Sequence, residues 1–399
     1  MSATPLAGLL VVDLTRHLPG PLAARLLADL GARVIKVEEP SLGDPVRQAP
    51  PLVEGRSALA AILLAGVESL ALDLKSGEAR AVLEALLATA DVLLESFRPG
   101  ALGRLGLAPA ELRRRFPRLV ILSVSGWGQG GPWAARAGHD LTYQAVAGSL
   151  APTARAPAVP VADHVGGWAA ATAVLAALYE RQRTGDGAWI DAALLDAGAH
   201  ANLVNWAAEA GGRHDVGEPL GLSGALPCYA VYRTRDGRAL ALAALEPHFW
   251  RRFCDATGRR DLRRRQYDRT PAARRAVAEL VAGRTSEEWL AILRARDIPG
   301  ETVLAAREAL DHPQVRRRAV VETGDDGLPR LGFPALFDGA RPRAAASFPE
   351  LGAHTRSVLA EWRLAAATLP RRQRRAAGIG PRFSWRRLLA RLFGGILAG

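Results

Sequence analysis

An aspartate near a predicted helix start is the residue whose setting most favours chemistry. Asp163 lies in the segment PVADHVGG, residues 160–167, ahead of an apolar stretch from 168 to 181 with helical periodicity. The exposed N–H groups of a helix start favour the anionic form of a carboxyl group, and the paired glycines would let a ligand approach the backbone. An ordinary N-cap aspartate would show the same pattern, so both roles stay open.

A second group of titratable residues precedes it by about twenty positions. The glycine-rich segment SGWGQGGP, residues 125–132, is followed by Gly138, His139 and Asp140, which open another predicted helix. Imidazole and carboxylate are the groups that most often transfer protons in enzymes. A lone histidine is more often solvated or structural, so His139 and Asp140 are candidates only together with Asp163.

Alternating strand and helix patterns must position these residues. Short apolar runs predict strands at 9–14, 33–37, 70–74, 92–97, 119–124 and 189–194. Helical spacing predicts helices at 21–30, 77–88, 108–115 and 168–181. This alternation indicates an α/β fold with a Rossmann-like, mainly parallel sheet covered by helices on both faces.

The pattern changes after about residue 210. Residues 211–227 are rich in glycine and charge and predict a linker. Two strand patterns at 229–234 and 239–245 flank Asp236-Gly237, a strong hairpin signal. We therefore predict a large domain over 1–210 that is completed by 330–362, a small α+β domain over 225–325, and a basic extension over 369–399.

Composition limits the classes of function. The formal net charge is +12, but eight arginines lie after residue 370 in a segment without any acid, so the body is only mildly basic. A mildly basic body suits a phosphate-bearing ligand, and the chain has no motif of a nucleic-acid-binding protein. The two cysteines form no CxxC pattern, which predicts a reducing, cytoplasmic setting and no metal site. No signal peptide or spanning segment is expected.

The turn where a dinucleotide fold would carry its phosphate-binding motif does not carry it. The turn after the first predicted strand is RHLPGP, residues 16–21, with one glycine where a dinucleotide site has GxGxxG. There is no Walker loop, no HExxH and no GxSxG. NAD dependence is therefore not expected.

Several longer motifs resemble the class III CoA-transferase family, which also contains the α-methylacyl-CoA racemases. The similarity covers roughly residues 6 to 360, and its strongest pieces are 20–32 with 34–38, LDLK at 72–75, ESFRPG at 95–100 with RLGL at 104–107, and RTGDG at 183–187 with Asp191. The resemblance implies a Rossmann-like large domain built from both chain ends, a small domain, and an interlocked homodimer.

The resemblance also implies roles for individual residues. Asp163 matches the catalytic aspartate, which is a nucleophile in the transferases and one of two acid/base groups in the racemases. His139, in a Gly-His-Asp motif, matches the opposing base of the racemases, and Glu246, in LEPHF, matches its partner. Asp140 is expected to orient or tune the pair. Coenzyme A is expected to bind, as part of the substrate, at seven positions: His17, Leu72, Lys75, Ser96, Phe97, Arg98 and Arg104.

We therefore expect an acyl-CoA enzyme without a permanently bound cofactor, and first a 2-methylacyl-CoA racemase that removes the α-proton. Transfer of CoA between carboxylic acids through Asp163 is the alternative, and a CoA-ester binder without turnover is a third hypothesis. Glu39 and Val67-Glu68 depart from the family pattern, so we expect either weaker CoA binding or a phosphate held by other arginines. The tail carries apolar residues beside arginines at helical spacing, so contact with a membrane surface is a further, less favoured hypothesis.

Overall fold

A computed structural model describes residues 4–151, 155–212, 221–324, 326–343 and 348–362. The expected basic extension at 369–399 lies outside these residues. The chain divides into two compact units: the first comprises the described residues within 1–149, 156–201 and 317–362, and the second those within 150–155 and 202–316.

Strands and helices alternate through the first half of the chain, as the apolar periodicity predicts. The strands of the described residues are β1 (Leu10–Leu14), β2 (Arg33–Glu38), β3 (Leu52–Val53), β4 (Arg56–Ser57), β5 (Val67–Ala71), β6 (Val92–Glu95), β7 (Val120–Ser125), β8 (Trp189–Ala193), β9 (Tyr229–Arg233), β10 (Ala239–Ala243), β11 (Gly300–Thr302), β12 (Val321–Thr323) and β13 (Pro329–Leu331).

The helices cover the sheets, and some of the candidate site residues lie at their starts. They are α1 (Pro19–Asp29), α2 (Ala58–Leu63), α3 (Gly77–Leu87), α4 (Ala101–Arg104), α5 (Pro109–Arg115), α6 (Asp140–Val146), α7 (Val161–Thr184), α8 (Leu194–Ala201), α9 (Leu203–Ala210), α10 (Pro247–Ala256), α11 (Pro271–Ala282), α12 (Ser286–Ala295), α13 (Ala306–Asp311), α14 (Pro313–Arg318) and α15 (Thr355–Glu361), with 3₁₀ turns at Pro45–Gln48 and Arg260–Arg265.

The first unit is organised around a six-stranded parallel sheet in the order β5-β2-β1-β6-β7-β8. Its apolar side chains form two cores, one on each face: α1 and α7 cover one face, and α3 and α15 cover the other. Both faces are buried, which is why the strands are continuously apolar. The predicted α/β class with a Rossmann-like parallel sheet is confirmed.

The strand order creates a crevice at the centre of the sheet. From β1 the chain proceeds outward to β2 and β5 on one side, whereas β6, β7 and β8 extend on the other side. Loops after β1 and β6 therefore diverge at the carboxyl edge, which is where open α/β sheets bind their ligands.

The second unit contains the predicted hairpin. β9 and β10 pair in antiparallel register around Asp236-Gly237, and β11 adds to β10. Helices α10, α11 and α12 bury Trp250, Phe253 and Trp289 against this sheet. The unit is thus a small α+β structure, as predicted.

Helix α7 differs from the prediction. It begins at Val161, seven residues before the predicted start at 168, and ends at Thr184. Two adjacent glycines weaken helix propensity, but packing of α7 against α1 and α8 outweighs that cost. By length and composition α7 could also cross a membrane, a test that core helices of soluble proteins pass as well.

Strand β5 also differs, since it spans Val67–Ala71 rather than 70–74. Leu72, Asp73 and Leu74 therefore follow the strand, in the turn that leads to α3. This shift places Leu72, like Lys75, in the turn at the carboxyl edge of the sheet.

Candidate active site

Asp163 is the third residue of α7, and its carboxyl group is half-buried. Burial, reinforced by the negative charge of Asp140, raises its pKa to about 6, and the positive charges of His139 and His164 oppose that rise. The helix start favours the anion, but desolvation dominates. The result is a carboxyl group that changes protonation close to neutral pH, a property useful to a general base or acid.

Asp140 joins the starts of α6 and α7. One carboxylate oxygen, Oδ1, accepts the backbone N–H of Asp163 at 3.1 Å, and the other, Oδ2, accepts Nε2 of Gln144 at 2.6 Å. Gln144 lies one helical turn after Asp140, on the same face of α6. Asp140 therefore orients the backbone that carries Asp163 and adds a negative charge beside it, and its role in the reaction stays a prediction.

His139 is the N-cap residue of α6, with extended backbone. Its N–H donates to the Thr142 hydroxyl at 3.0 Å, and that hydroxyl donates to the His139 carbonyl at 2.7 Å. The backbone is thereby held in place while the side chain is exposed. The structure brings His139, Asp140 and Asp163 together, within range of mutual electrostatic influence.

Tyr143 is a site residue that the sequence reasoning missed. Its ring is buried and wedged between Gly126 and Gly138, where an added Cβ would lie 2.3 Å from its Oη or 2.5 Å from its Cε1. Burial, followed by the charges of Asp163 and Asp140, raises its pKa to about 12. The sequence feature that could have identified Tyr143 is its position three residues after Asp140, which puts both on the same helix face.

The paired glycines have a different purpose from the predicted one. A Cβ at Gly166 would lie 2.4 Å from Leu194 Cδ2, and one at Gly167 would lie 2.9 Å from the Pro19 carbonyl oxygen. Protein atoms fill the space next to these glycines, where we expected a ligand to approach the backbone. That expectation was wrong. The glycines let α7 pack tightly on α1 and α8.

The predicted CoA-binding residues follow strand ends at the carboxyl edge of the sheet, in loops except for Arg104, which is the last residue of α4. His17 follows β1, Ser96, Phe97 and Arg98 follow β6, and the N–H of Arg16 donates to Ser96 Oγ at 2.9 Å. This hydrogen bond joins the loops that flank the central crevice. Further along the same edge are Leu72, Lys75 and Arg104.

These residues differ in exposure. The exposed side chains are the cationic or titratable ones, namely His17, Lys75, Arg98 and Arg104. Leu72 is 1 % exposed and packs in the sheet core, so its side chain is not available at the surface. Exposed guanidinium and ammonium groups around a strand-end crevice suit the phosphates of a nucleotide.

A buried ion network anchors the loop after β1. Lys36 Nζ lies 3.1 Å from Asp13 Oδ2 and 3.1 Å from Asp44 Oδ2, and it donates to the Thr15 carbonyl at 2.7 Å. Asp44 in turn accepts the N–H of His17 at 3.1 Å. Burial opposes the charge of Lys36, but the surrounding carboxylates outweigh it and raise its pKa. Sequence reasoning treated Lys36 only as part of a motif.

The departures from the family pattern have local explanations. Glu39 accepts hydrogen bonds from Ser41 Oγ at 2.7 Å and the Leu42 N–H at 3.0 Å, so it closes its own turn. Glu68 is paired with Arg33 at 2.7 Å, near the amino ends of β5 and β2. That position is at the opposite end of the strands from the candidate CoA loops.

Glu246 lies in the second unit, where it is the exposed N-cap residue of α10. Its pairing with His139 stays a prediction. The described residues hold no group of three or more His, Cys, Asp or Glu side chains suited to a metal ion.

Comparisons with known proteins identify the family. The family model for CoA-transferase family III matches residues 6–355. The human alpha-methylacyl-CoA racemase is 33% identical over 372 residues, covering 90% of this chain and 93% of the relative. The acetyl-CoA:oxalate CoA-transferase of Acetobacter aceti is 32% identical over 361 residues, covering 84% and 90%. A CAIB/BAIF family protein from Brucella suis has a similar structure, with a TM-score of 0.80 at 30% identity, covering 90% of this chain and all of that one. The chain belongs to CoA-transferase family III and is an enzyme of that family.

Proposed function

We propose that this enzyme interconverts the epimers of 2-methylacyl-CoA thioesters by removing and returning the α-proton. The observation that carries the proposal is the cluster of Asp163, Asp140 and His139 at the adjoining starts of α6 and α7. Similarity to the human alpha-methylacyl-CoA racemase supports the choice of substrate class.

The proposed reaction needs two groups with complementary protonation. The α-proton of a thioester is weakly acidic, so a positioned base must take it while the enolate oxygen is stabilised. Asp163, with a pKa of about 6, is mostly ionised at neutral pH yet can still carry a proton. Imidazole is the side chain that gains and loses charge in the same range. One group removes the proton from one face, and the other returns a proton to the opposite face.

CoA transfer is the second candidate function. It is supported by relatives of comparable identity, such as the succinate–glutarate CoA-transferase of Agrobacterium fabrum, which is 34% identical over 387 residues. In this reaction the Asp163 carboxylate attacks the thioester carbonyl and releases CoA thiolate, which then attacks the aspartyl carbonyl. This first half-reaction gives an aspartyl-CoA thioester and the free carboxylate of the donor. The acceptor carboxylate then attacks the aspartyl thioester carbonyl and releases CoA thiolate. The thiolate attacks the acceptor's acyl carbonyl, which gives the new acyl-CoA and returns the Asp163 carboxylate. Only Asp163 is indispensable to that sequence of steps.

Isotope exchange separates the two candidates. Each variant is incubated with both epimers of a 2-methylacyl-CoA in deuterated water, and the α-proton is followed by NMR. For a racemase, His139→Ala abolishes epimerisation and restricts exchange to one epimer, and Asp163→Asn restricts it to the other. A general base contributes about a hundredfold or more, which is easily measured.

The matched control is His164→Ala. His164 also lowers the pKa of Asp163 through its charge, but its ring Nδ1 lies 2.9 Å from the Pro160 carbonyl. The His164→Ala variant should retain epimerisation. If it loses as much activity as His139→Ala, the contribution of His139 is its electrostatic effect on Asp163 and not proton transfer. A wild-type enzyme that exchanges no α-proton, but moves CoA to a free acid through an Asp163 adduct detected by mass spectrometry, would overturn the racemase proposal. Binding with neither activity would indicate a CoA-ester binder.

A further inference from the structure

A groove in the second unit has none of the predicted site residues in its lining. It has a volume of about 710 Å³ and runs beside β9 and α11. β9 is the edge strand of the three-stranded sheet, so one side of the groove follows a sheet edge. The volume falls within the range of small-molecule sites, which is about 300–1,000 Å³.

The lining of this groove is strongly basic. It includes Arg233, Arg269, Arg274 and Arg275 against a single acid, Glu279, for a formal charge of +3 from four positive and one negative group. Within the described part of the chain, no carboxylate forms a salt bridge with three of these arginines, namely 233, 274 and 275. Most arginines elsewhere in this unit have such a partner. Concentrated guanidinium groups repel one another, and a bound polyanion would relieve that repulsion.

The remaining lining is apolar and partly rigid. Val231 is 58% exposed, and Ala225, Pro271, Ala278 and Ala282 complete an apolar surface. The hydroxyl of Tyr232, which is buried, donates to the Pro227 carbonyl at 2.8 Å and accepts a hydrogen bond from Arg274. One cation of the groove is therefore held by a fixed partner, next to a surface that can cover a flat apolar ring.

We propose that this groove binds a nucleoside polyphosphate, with the phosphates at Arg233, Arg274 and Arg275 and the base on the apolar lining. Arginine favours phosphate because its planar guanidinium donates paired hydrogen bonds. A simple anion would use the cations but leave the apolar surface uncovered. The site is distinct from the Asp163 cluster and does not depend on the proposed epimerisation.

Calorimetric titration of the full chain with ATP tests the site, with pyrophosphate, citrate and CoA as comparison ligands. ATP should bind more tightly than pyrophosphate or citrate. Arg233→Glu and Arg275→Glu should each weaken ATP binding at least about tenfold. Arg251→Glu is the matched control, because Arg251 is an exposed arginine of the same unit outside the groove, and it should leave ATP binding unchanged.

Several outcomes would overturn the proposal. Absence of ATP binding, equal loss in the Arg251→Glu control, or citrate binding as tight as that of ATP would each exclude a nucleotide site. If CoA displaces ATP and the groove variants raise KM for the acyl-CoA substrate, the groove belongs to the substrate site instead. If Arg275→Glu alters the mass measured by light scattering, the groove is a subunit contact. Unchanged kcat, KM and mass with weakened ATP binding would support the proposal.

Discussion

Replacement of Asp163 by asparagine should stabilise the enzyme while it abolishes epimerisation. The carboxyl group is half-buried, and its pKa is raised from 3.8 to about 6 because burial and Asp140 disfavour the charged form. At neutral pH the folded protein therefore holds an ionised group in a setting that opposes ionisation. Asparagine has nearly the same shape and no charge, so it relieves that cost. Catalytic groups often carry such a cost in stability.

The magnitude follows from the pKa shift. A difference of about 2.2 pH units, multiplied by about 1.36 kcal/mol per unit, corresponds to ~3 kcal/mol. Solvent reaches part of this carboxyl group and screens its interactions, which reduces the expected gain to about 1–2 kcal/mol. That gain is a substantial fraction of a typical free energy of unfolding.

The pH dependence has a definite sign. Below about pH 3.8 the carboxyl group is protonated in both the folded and unfolded states, so wild type and Asp163→Asn should have similar stability. Between about pH 3.8 and 6 the unfolded chain releases its proton first, and the wild type loses stability relative to the variant. Above about pH 6 the difference should be constant.

Urea unfolding of both proteins from pH 3.5 to 8, at one protein concentration, measures this difference. Asp196→Asn is the control, because Asp196 is an exposed aspartate in the first turn of α8. It should show no stabilisation that grows across the same window. A difference between wild type and Asp163→Asn that is absent at pH 7.5, or that has the opposite sign, would refute the assignment of Asp163 as a desolvated carboxylate.

Three further perturbations test other parts of the structure. Gly167→Ala should lower the free energy of unfolding by about 1–3 kcal/mol, because the new Cβ meets the Pro19 carbonyl. Gly130→Ala is its control, because nothing lies within 4 Å of a Cβ added there. Equal urea midpoints for the two variants would contradict the packing argument. Lys36→Met should lower the free energy of unfolding by about 3–5 kcal/mol, because it leaves Asp13 and Asp44 without their ion-pair partner. An unchanged free energy of unfolding in urea would show that the ion network does not stabilise the fold. Deletion of 371–399 should leave CoA-ester binding and the mass of the native protein unchanged; insoluble protein, lost binding or a changed mass by light scattering would count against it.

Much of the fold could be predicted because it follows from local patterns. Continuous apolar runs marked the buried strands of the parallel sheet, and Asp236-Gly237 marked the hairpin of β9 and β10. The start of α7 was misplaced for a physical reason. Gly166-Gly167 disfavours a helix locally, and only the neighbours Leu22 and Leu194 explain why glycine is required there.

The sequence likewise predicted one part of the candidate site, and the fold supplied the rest. The sequence alone determined the residue types able to transfer protons, since Asp163, His139 and Asp140 each lie at a recognisable helix start. The hydrogen bond from the Asp163 N–H to Asp140 joins residues 23 positions apart, and no local pattern encodes it.

Tertiary structure decided the environment that gives these groups their properties. Tyr143 received no role from the sequence, and the fold places it between two glycines and beside two carboxylates. Lys36 resembled a strand residue until β1 and the Asp44 turn surrounded it. Periodicity reports which side of an element is buried, whereas a pKa depends on the charges and solvent within a few ångströms in every direction. Those neighbours come from distant parts of the chain, so the chemistry of Asp163 is a property of the folded protein.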